Sequence, residues 1–527
     1  MFQPVYDILT AVQQPHFKKC VFFCSLFAFV PAIPALLSGG LIGFEGAEIY
    51  GHAWSYWWRM EAFPDWPNGT DLAHGTQVWP SIDPLPSLFC ILIGQLVGPL
   101  WATNAWLLVG RFVLAIGGWK LAQTTNGRPV AGAFLASFWP PILGVQYSGL
   151  TEDFGLGLVL IAFASLMSPI QKNRLRGALL LALVPWCGLV LGWYTALAAV
   201  CLGFALWWNS SAKVKKEWLI LGCISILIGG LSGLPHWVRL GGIGHRLGEF
   251  QYVYEPMWSL NPFKYIDVAS LFVPNRPDFD GYIMRLHPGY FGISCLFVAC
   301  LGFFRQMGWW LLLGLFVGIS LGPQLVWFGE PTGWYNPLFY LIEKLPGFSL
   351  MNHLGRALLL ASVPLIVLVA RGTKNNFLFG AVILDLLFLA PLSPILPNAQ
   401  SDQSVTLQGI SELPDGDVLI LPVSGPNIHP QKPLWEQRFH ERKIWLSPNR
   451  LGLPPALQAI PAIRQLSDNP SSFSIEDETF PCFISAVLVR SYFAPPYVDA
   501  LGPPMFKDDH FLLWSRRQLS PQTKCAI

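Results

Sequence analysis

Two glutamates and a histidine lie at helical spacing in residues 41–84, a polar stretch of an otherwise apolar chain. Glu48 and His52 are four residues apart and Glu45 and Glu48 are three apart, so a helix would place all three on one face. Carboxylates grouped in this way can act as a general base or bind a divalent cation. The alternative is a solvated interfacial helix that keeps Tyr50 and the neighbouring tryptophans in the aromatic belt of a membrane.

A second acidic pair and a separate arginine stand where charges are unusual. Glu152 and Asp153 follow Thr151 in a short turn between apolar runs, so they stay close to the membrane plane. Arg356 precedes a late apolar run, and its guanidinium suits a phosphate or pyrophosphate. The structural alternatives are loop solvation of the acids, or an N-cap by Thr151 or Asp153 for the following helix, and snorkelling of the arginine to the interface. Loop 236–286 adds further positive character through Arg239, His245, Arg246, Lys264, Arg276, Arg285 and His287.

The remaining charges of interest are predicted to be structural. Arg111 and Asp385 fall within apolar runs, where charges are costly and usually face a cavity or each other. The favoured interpretation is a structural ion pair, which these two residues could form together. Four other acids of the first polar stretch are predicted to be solvating or structural groups, namely Glu61, Asp65, Asp71 and Asp83.

The composition is that of an integral membrane protein. Of the 527 residues, 53% are hydrophobic and 12% are charged, and the mean hydropathy is +0.45, whereas soluble domains carry about 25% charged residues. The net charge of +2 and the lack of a basic block argue against a nucleic-acid partner. The sequence also has none of the P-loop, Rossmann, HExxH or GxSxG patterns of soluble enzymes.

Apolar runs suited to a ~30 Å hydrocarbon core predict about 11 transmembrane helices. Lys18 and Lys19 place the N-terminus in the cytoplasm, and every short basic loop falls on that side if the run 85–98 is interfacial or re-entrant. The outer face then holds the loops 41–102, 236–286 and 324–354. The predicted spans are 21–40, 103–122, 129–147, 154–168, 177–191, 194–208, 217–235, 287–304, 308–323, 355–371 and 376–393, with a tight turn at Gly192 and Trp193.

The composition changes sharply at the prolines around residue 394. Residues 1–394 are predicted to form an α-helical polytopic membrane domain, and residues 395–527 a small extracytoplasmic α/β domain. Only two of the ten cysteines, Cys482 and Cys525, lie in the polar tail, where they could pair in an oxidising compartment. Strands are predicted at 417–422, 483–490 and 511–514, and a short helix at 454–466.

This arrangement resembles the GT-C superfamily of membrane glycosyltransferases, which includes protein O-mannosyltransferases and aminoarabinose transferases. The resemblance covers most of the chain. It rests on an early acid after the first span (44–54), a proline-bearing segment (79–86), an arginine-bearing segment before a late span (348–356) and an outer tail with the segment 416–422. It implies a GT-C-like fold with interfacial helices in the first outer loop.

The resemblance also implies roles for individual residues. In the superfamily an acid of the first outer loop acts as a base or metal-linked ligand, and basic outer residues hold a polyprenyl-phosphate sugar. Glu48 is the best match for that acid and Glu45 the second, with Mg²⁺ or Mn²⁺ as the divalent cation. The usual Asp-Glu or Asp-x-Asp appears here as Glu-x-x-Glu. The implied phosphate-binding residues are Arg356, His353, Arg246 and Arg285, and the implied substrate-cavity residues are His52, Glu152 and Asp153.

The predicted function is transfer of a sugar from a polyprenyl-phosphate donor to an acceptor on the extracytoplasmic face of the inner (plasma) membrane. One alternative is a noncatalytic protein of the same fold, which acts as a scaffold or assembly subunit of an envelope complex and docks protein partners through residues 395–527. A transporter of lipid-linked substrates is a weaker alternative, because the sequence shows no repeated halves.

Overall fold

The computed structural model describes residues 15–45, 49–62, 83–208, 216–218, 220–223, 225, 227–229, 266–274, 289–301, 306–345, 354–400, 404–422, 432–445, 455–473 and 480–519. The chain forms two compact units. The first comprises Met1–Phe44, Pro80–Phe89 and Asn104–Asn398, and the second comprises Glu45–Trp79, Cys90–Thr103 and Ala399–Ile527. The second unit therefore includes parts of the first polar loop, whereas the composition of the sequence predicts a single domain boundary at residue 394.

Helices dominate the described part of the first unit. The apolar runs form them because, in hydrocarbon, a helix satisfies every backbone polar group within its own segment. Two helices, Pro84–Val97 and Pro99–Thr124, contain boundaries between the units. The described α-helices within the first unit are Pro15–Phe29, Ile33–Leu37, Pro129–Phe138, Pro140–Tyr147, Asp153–Leu166, Gln171–Leu183, Leu189–Trp208, Ile293–Cys300, Met307–Ser320, Pro337–Ile342, Ala357–Gly372 and Asn376–Leu384.

Three helices of the described chain are long and apolar enough to cross a membrane, namely His16–Leu37, Pro99–Thr124 and Leu354–Gly372. Shorter apolar helices accompany them, which makes this a mostly helical chain with the character of a membrane protein. The predicted interfacial run 85–98 corresponds to the helix Pro84–Val97, whose 14 residues rise only about 21 Å. The total of about 11 spans and their orientation stay predictions.

One predicted turn is wrong. Gly192 and Trp193 lie inside the helix Leu189–Trp208, and the Gly192 N–H donates to the Gly188 carbonyl at 2.9 Å. The preceding helix instead gives way to the 3₁₀ turn Val184–Trp186. Its proline lacks an N–H donor, so it cannot continue the α-helical ladder.

Glycines allow two helices of the first unit to cross closely. A Cβ atom on Gly117 would lie 2.8 Å from the Gly157 carbonyl oxygen, and one on Gly110 would lie 3.2 Å from the Asp153 Cβ. Gly110 and Gly117 lie on the helix Pro99–Thr124, and they face the helix Asp153–Leu166 where the two helices cross. Small residues permit such backbone approach between membrane helices, and here the crossing brings the start of the second helix against the first.

The C-terminal part of the second unit contains a four-stranded mixed sheet. Its order is Asp417–Leu421, Ile484–Arg490, Phe511–Ser515 and Phe506–Lys507, and only the first pair is parallel. The three strands predicted from the sequence are confirmed. The predicted helix at 454–466 is present as two helices, Pro455–Gln458 and Pro461–Asp468, because a proline begins the second one.

The helix Ile49–Ala62 also belongs to the second unit and packs on the short helix Lys432–Glu436. Trp54 and Trp58 are at most 2% exposed and stack with ring centroids 6.2 Å apart. The Trp54 Nε1–H donates to the Gln437 Oε1 at 2.9 Å. The interpretation of this helix as one that rests its aromatic face in the membrane interface is therefore wrong, because that face is buried in protein.

Candidate functional site

The acidic turn of the first unit is buried. Glu152 is 7% exposed and Asp153 is 2% exposed, so simple loop solvation is the wrong interpretation. Glu152 occupies the N-cap position of the helix Asp153–Leu166, and its side chain makes no capping hydrogen bond. The Thr151 hydroxyl donates to the Asp83 Oδ2 at 3.3 Å. The capping role expected of Thr151 or Asp153 is thus not found.

Arg356 forms an ion pair with Glu152. The Arg356 Nη1 lies 3.1 Å from the Glu152 Oε1, and the two side chains are only 14% and 9% exposed. Arg356 ends the 3₁₀ turn Leu354–Arg356 and precedes the buried helix Ala357–Gly372. The snorkelling interpretation of this arginine is wrong, because its side chain turns inward to a carboxylate.

Asp83, like Tyr194, belongs to this site although the sequence did not predict it there. It was expected to be a solvating or structural acid, yet it is 7% exposed and directly precedes the helix Pro84–Val97. A Cβ atom on Gly188 would lie 3.7 Å from the Glu152 Cγ and 3.8 Å from the Asp83 Oδ1. Both acidic side chains therefore lie close to the Gly188 backbone. Proline at the first helical position marks a helix start, but this signal says nothing about burial.

The two charges within apolar runs do not pair with each other. The Arg111 Nε and Nη2 each donate to a backbone carbonyl, those of Ala28 and Phe27, at 3.0 Å. Asp385 accepts from the Tyr290 hydroxyl at 2.7 Å and from the Ser294 backbone N–H and hydroxyl at 2.7 and 2.6 Å. Arg111 and Asp385 therefore each have their own hydrogen-bond partners, and these partners differ.

Polar atoms of this cluster remain unsatisfied within the described part of the chain. The Glu152 Oε2, the Asp153 Oδ2 and the Tyr194 hydroxyl are buried and have no hydrogen-bond partner there. The Tyr194 hydroxyl lies within electrostatic range of Arg356 and Glu152. Buried polar atoms of this kind cost about 1–3 kcal/mol each when unpaired. Ligand hydroxyls would donate to the two carboxylate oxygens, and a ligand oxygen would accept from the Tyr194 hydroxyl. We call Asp83, Thr151, Glu152, Asp153, Tyr194 and Arg356 the acidic-turn cluster.

The first-loop acid Glu45 lies in the second unit. Its carboxylate is bound by the Lys432 ammonium at 2.5 Å, and the Glu45 side chain is 56% exposed. His52 is half-buried on the helix Ile49–Ala62. A divalent cation at Glu45 would have to displace the lysine, and the described residues contain no group of three His, Cys, Asp or Glu side chains that could hold a metal ion.

Four predicted site residues lie outside the described residues: Glu48, His353, Arg246 and Arg285. Their roles, and metal binding by the Glu45–Glu48 pair, therefore stay predictions. Of the predicted residues that are described, the structure brings together Glu152, Asp153 and Arg356 within the first unit. It assigns Glu45 and His52 to the second unit.

Among solved structures, the comparison with known proteins finds chains that are similar to this one. No protein-family model matches the chain, and no curated protein does. The chain is similar to the arabinofuranosyltransferase AftD from Mycobacteria, a single-particle cryo-EM structure, at 14% sequence identity and a TM-score of 0.49. The match covers 90% of this chain and 35% of AftD, so the chain spans about a third of that protein's length.

Proposed function

We propose that the protein is an integral membrane glycosyltransferase that moves a sugar from a polyprenyl-phosphate donor to an acceptor hydroxyl on the extracytoplasmic face. The observation that carries this proposal is the buried ion pair of Glu152 and Arg356 beside Asp83. Charges are expensive within a membrane domain and mark functional sites there. This cluster combines a group suited to a phosphate with groups suited to an attacking hydroxyl.

Arg356 is the proposed ligand of the donor phosphate. A phosphate carries more charge and more acceptor oxygens than a carboxylate, and arginine binds it in a bidentate manner. The donor thus competes with Glu152 for Arg356, and its binding releases the Glu152 carboxylate. His353, Arg246 and Arg285 remain the further residues proposed for this phosphate.

The released Glu152 is the proposed general base. It accepts the proton of the acceptor hydroxyl, whose oxygen forms a bond to the anomeric carbon of the sugar. The bond from that carbon to the phosphate oxygen breaks, and polyprenyl phosphate leaves with its negative charge held by Arg356. Glu48 is the rival base that the GT-C resemblance implies. Glu45 is less suited to the role because Lys432 binds its carboxylate.

The distribution of basic loops in the sequence supports an outer location for the acidic turn and the C-terminal tail. Cys482 of the tail is disulfide-bonded, whereas the eight cysteines between Cys20 and Cys300 are free. Disulfides persist in oxidising compartments. This difference supports an extracytoplasmic tail.

The decisive experiment is a transfer assay in lipid nanodiscs with a panel of polyprenyl-phosphate sugars. Glu152→Gln keeps the size of the side chain and removes the base, so kcat should fall by about 10²–10⁴-fold. Glu412→Gln, at an exposed acid of the tail, is the matched control and should retain full activity. Full activity of Glu152→Gln with loss in Glu48→Gln would move the base to Glu48. Failure to consume any donor would favour a noncatalytic role.

The noncatalytic scaffold remains the second candidate, because one observation favours it. The first-loop acid Glu45 binds Lys432, and the neighbouring Tyr50 hydroxyl donates to the Gln400 carbonyl at 2.8 Å. These contacts hold the first loop to the tail within the second unit, which is a structural role. Stable co-purification of partner proteins, lost when residues 404–519 are deleted, would support this candidate.

A further inference from the structure

A β-hairpin of the first unit presents aromatic side chains at its surface. Its strands are Gln324–Trp327 and Glu330–Tyr335, and they pair in antiparallel fashion. Trp334 is 74% exposed, Tyr335 69%, Phe328 56% and Trp327 48%. Large aromatic surfaces of this kind mark interaction sites.

The turn of this hairpin is held in a conformation that a large residue rarely adopts. Phe328 and Gly329 both have positive φ angles, 48° and 87°, as in the mirror-image turns that suit tight hairpins. Glycine adopts such angles freely, whereas a phenylalanine in this region is strained. Strained residues persist where the surrounding structure holds them, and they cluster at functional sites.

The carboxylate of Asp267 holds the turn in place. It accepts from the Phe328 N–H at 3.2 Å and from the Gly329 N–H at 2.6 Å, and it also caps the Val268–Leu271 turn through the Ala269 N–H. Asp267 is only 6% exposed. The exposed position of the aromatic residues is therefore built into the protein and does not depend on a ligand.

The segments that flank the hairpin in sequence indicate what covers this surface. The hairpin begins four residues after the apolar helix Met307–Ser320, on which Leu311 is 68% exposed, and the following helix leaves Leu341 70% exposed. Residues 307–345 contain three charged side chains, Glu330, Glu343 and Lys344, of which one is basic. An apolar helix with exposed leucines is covered by lipid in a membrane protein, and the hairpin lies between two such helices in the chain.

We propose that the hairpin 324–335 inserts its aromatic side chains into the headgroup layer of the bilayer. Tryptophan and tyrosine favour this layer because their rings are apolar and their N–H and O–H groups remain hydrated. Since the segment has few cations, attachment depends on aromatic burial and not on anionic lipids. The proposal needs only that the chain lies in a membrane, and it is independent of the chemistry at Glu152.

The test is a depth measurement on the full chain in nanodiscs of neutral lipid. An environment-sensitive fluorophore is attached through Trp334→Cys, in a background whose exposed Cys223 and Cys300 are changed to alanine. The control carries the fluorophore at Tyr492→Cys, a 75% exposed aromatic of the tail. The emission at position 334 should shift to the blue and be quenched by headgroup-labelled lipid, and the control emission should do neither.

A second variant distinguishes the contribution of the Phe328 ring from that of the turn conformation. Phe328→Gly suits the positive φ angle and removes the side chain, so it should reduce the lipid quenching at position 334 while the protein stays folded. Equal aqueous quenching at positions 334 and 492 would overturn the proposal. Shielding of position 334 that appears only in native membranes, and not in nanodiscs, would also overturn it, in favour of a protein partner.

Discussion

Two glutamates predicted from the sequence as site residues occupy opposite environments in the two units. Glu152 of the first unit has a 9% exposed side chain and pairs with Arg356, 204 residues away. Glu45 of the second unit has a 56% exposed side chain and pairs with Lys432, 387 residues away. Both carboxylates meet a cation, but only the first is withheld from water. Burial therefore distinguishes the Glu152 carboxylate, which we propose as the general base, from the Glu45 carboxylate, which joins two segments of the second unit.

The largest expected effect comes from breaking each ion pair in turn. Arg356→Met should destabilise the first unit by about 3–5 kcal/mol, because it leaves a buried carboxylate without its cation. Lys432→Met should cost about 0–1 kcal/mol, because water screens the exposed Glu45. Denaturant-induced unfolding in detergent micelles measures both values.

Double-mutant cycles supply the control for these two changes. Adding Glu152→Gln to Arg356→Met should cost less than the sum of the single changes, since residues in contact are not additive. The corresponding cycle of Glu45→Gln and Lys432→Met should be nearly additive. Similar coupling energies in the two cycles would remove the distinction between the pairs.

A smaller effect is expected from pH, because acid should lower the stability of the second unit more than that of the first. His440 in the second unit is 5% exposed, and burial, with a lesser contribution from the Arg442 charge, lowers its pKa to about 3. An unfolded histidine has a pKa of about 6.5. The unfolded chain thus binds the proton more tightly, so stability is complete above pH 6.5 and falls by about 1.4 kcal/mol per pH unit toward pH 3.

Hydrogen exchange at pH 7 and pH 5 measures this difference. Exchange in the strand Ile484–Arg490 should increase at pH 5 relative to the helix Ala357–Gly372 of the first unit, after correction for the intrinsic rate. His440→Gln should reduce the change, because glutamine does not titrate. The same acid sensitivity in that variant would show that another group is responsible.

The smallest effect concerns the link between Asp83 and the acidic turn. Thr151→Val removes the hydroxyl that donates to the Asp83 Oδ2, and it should destabilise the first unit by about 1 kcal/mol. Thr151→Ser retains a hydroxyl and should lie closer to the unchanged protein in thermal unfolding. If valine and serine behaved alike, this hydrogen bond would contribute nothing to the cluster.

The sequence by itself determined several of the segments that become helices and strands, but it did not predict the strands Gln324–Trp327 and Glu330–Tyr335, which lie in the predicted loop 324–354. The strand of Phe511–Ser515 and the helix Ala357–Gly372 follow from residue type and from apolar runs, which are local properties. The turn at Gly192 was mispredicted because local pattern does not settle which of two nearby positions interrupts a helix, and Pro185 interrupts it here.

Only the tertiary structure decided which charges meet. Helical spacing predicted one face for Glu45, Glu48 and His52, but Glu45 precedes the helix Ile49–Ala62 and is not part of it. Spacing also gave no information on Lys432, and it did not predict the burial of Asp83. The Glu152–Arg356 pair depends on a turn and a helix start that are distant in sequence. Local spacing predicts the face on which a side chain lies only where the segment is helical, whereas the partner and the burial of that side chain depend on how the elements of each unit pack.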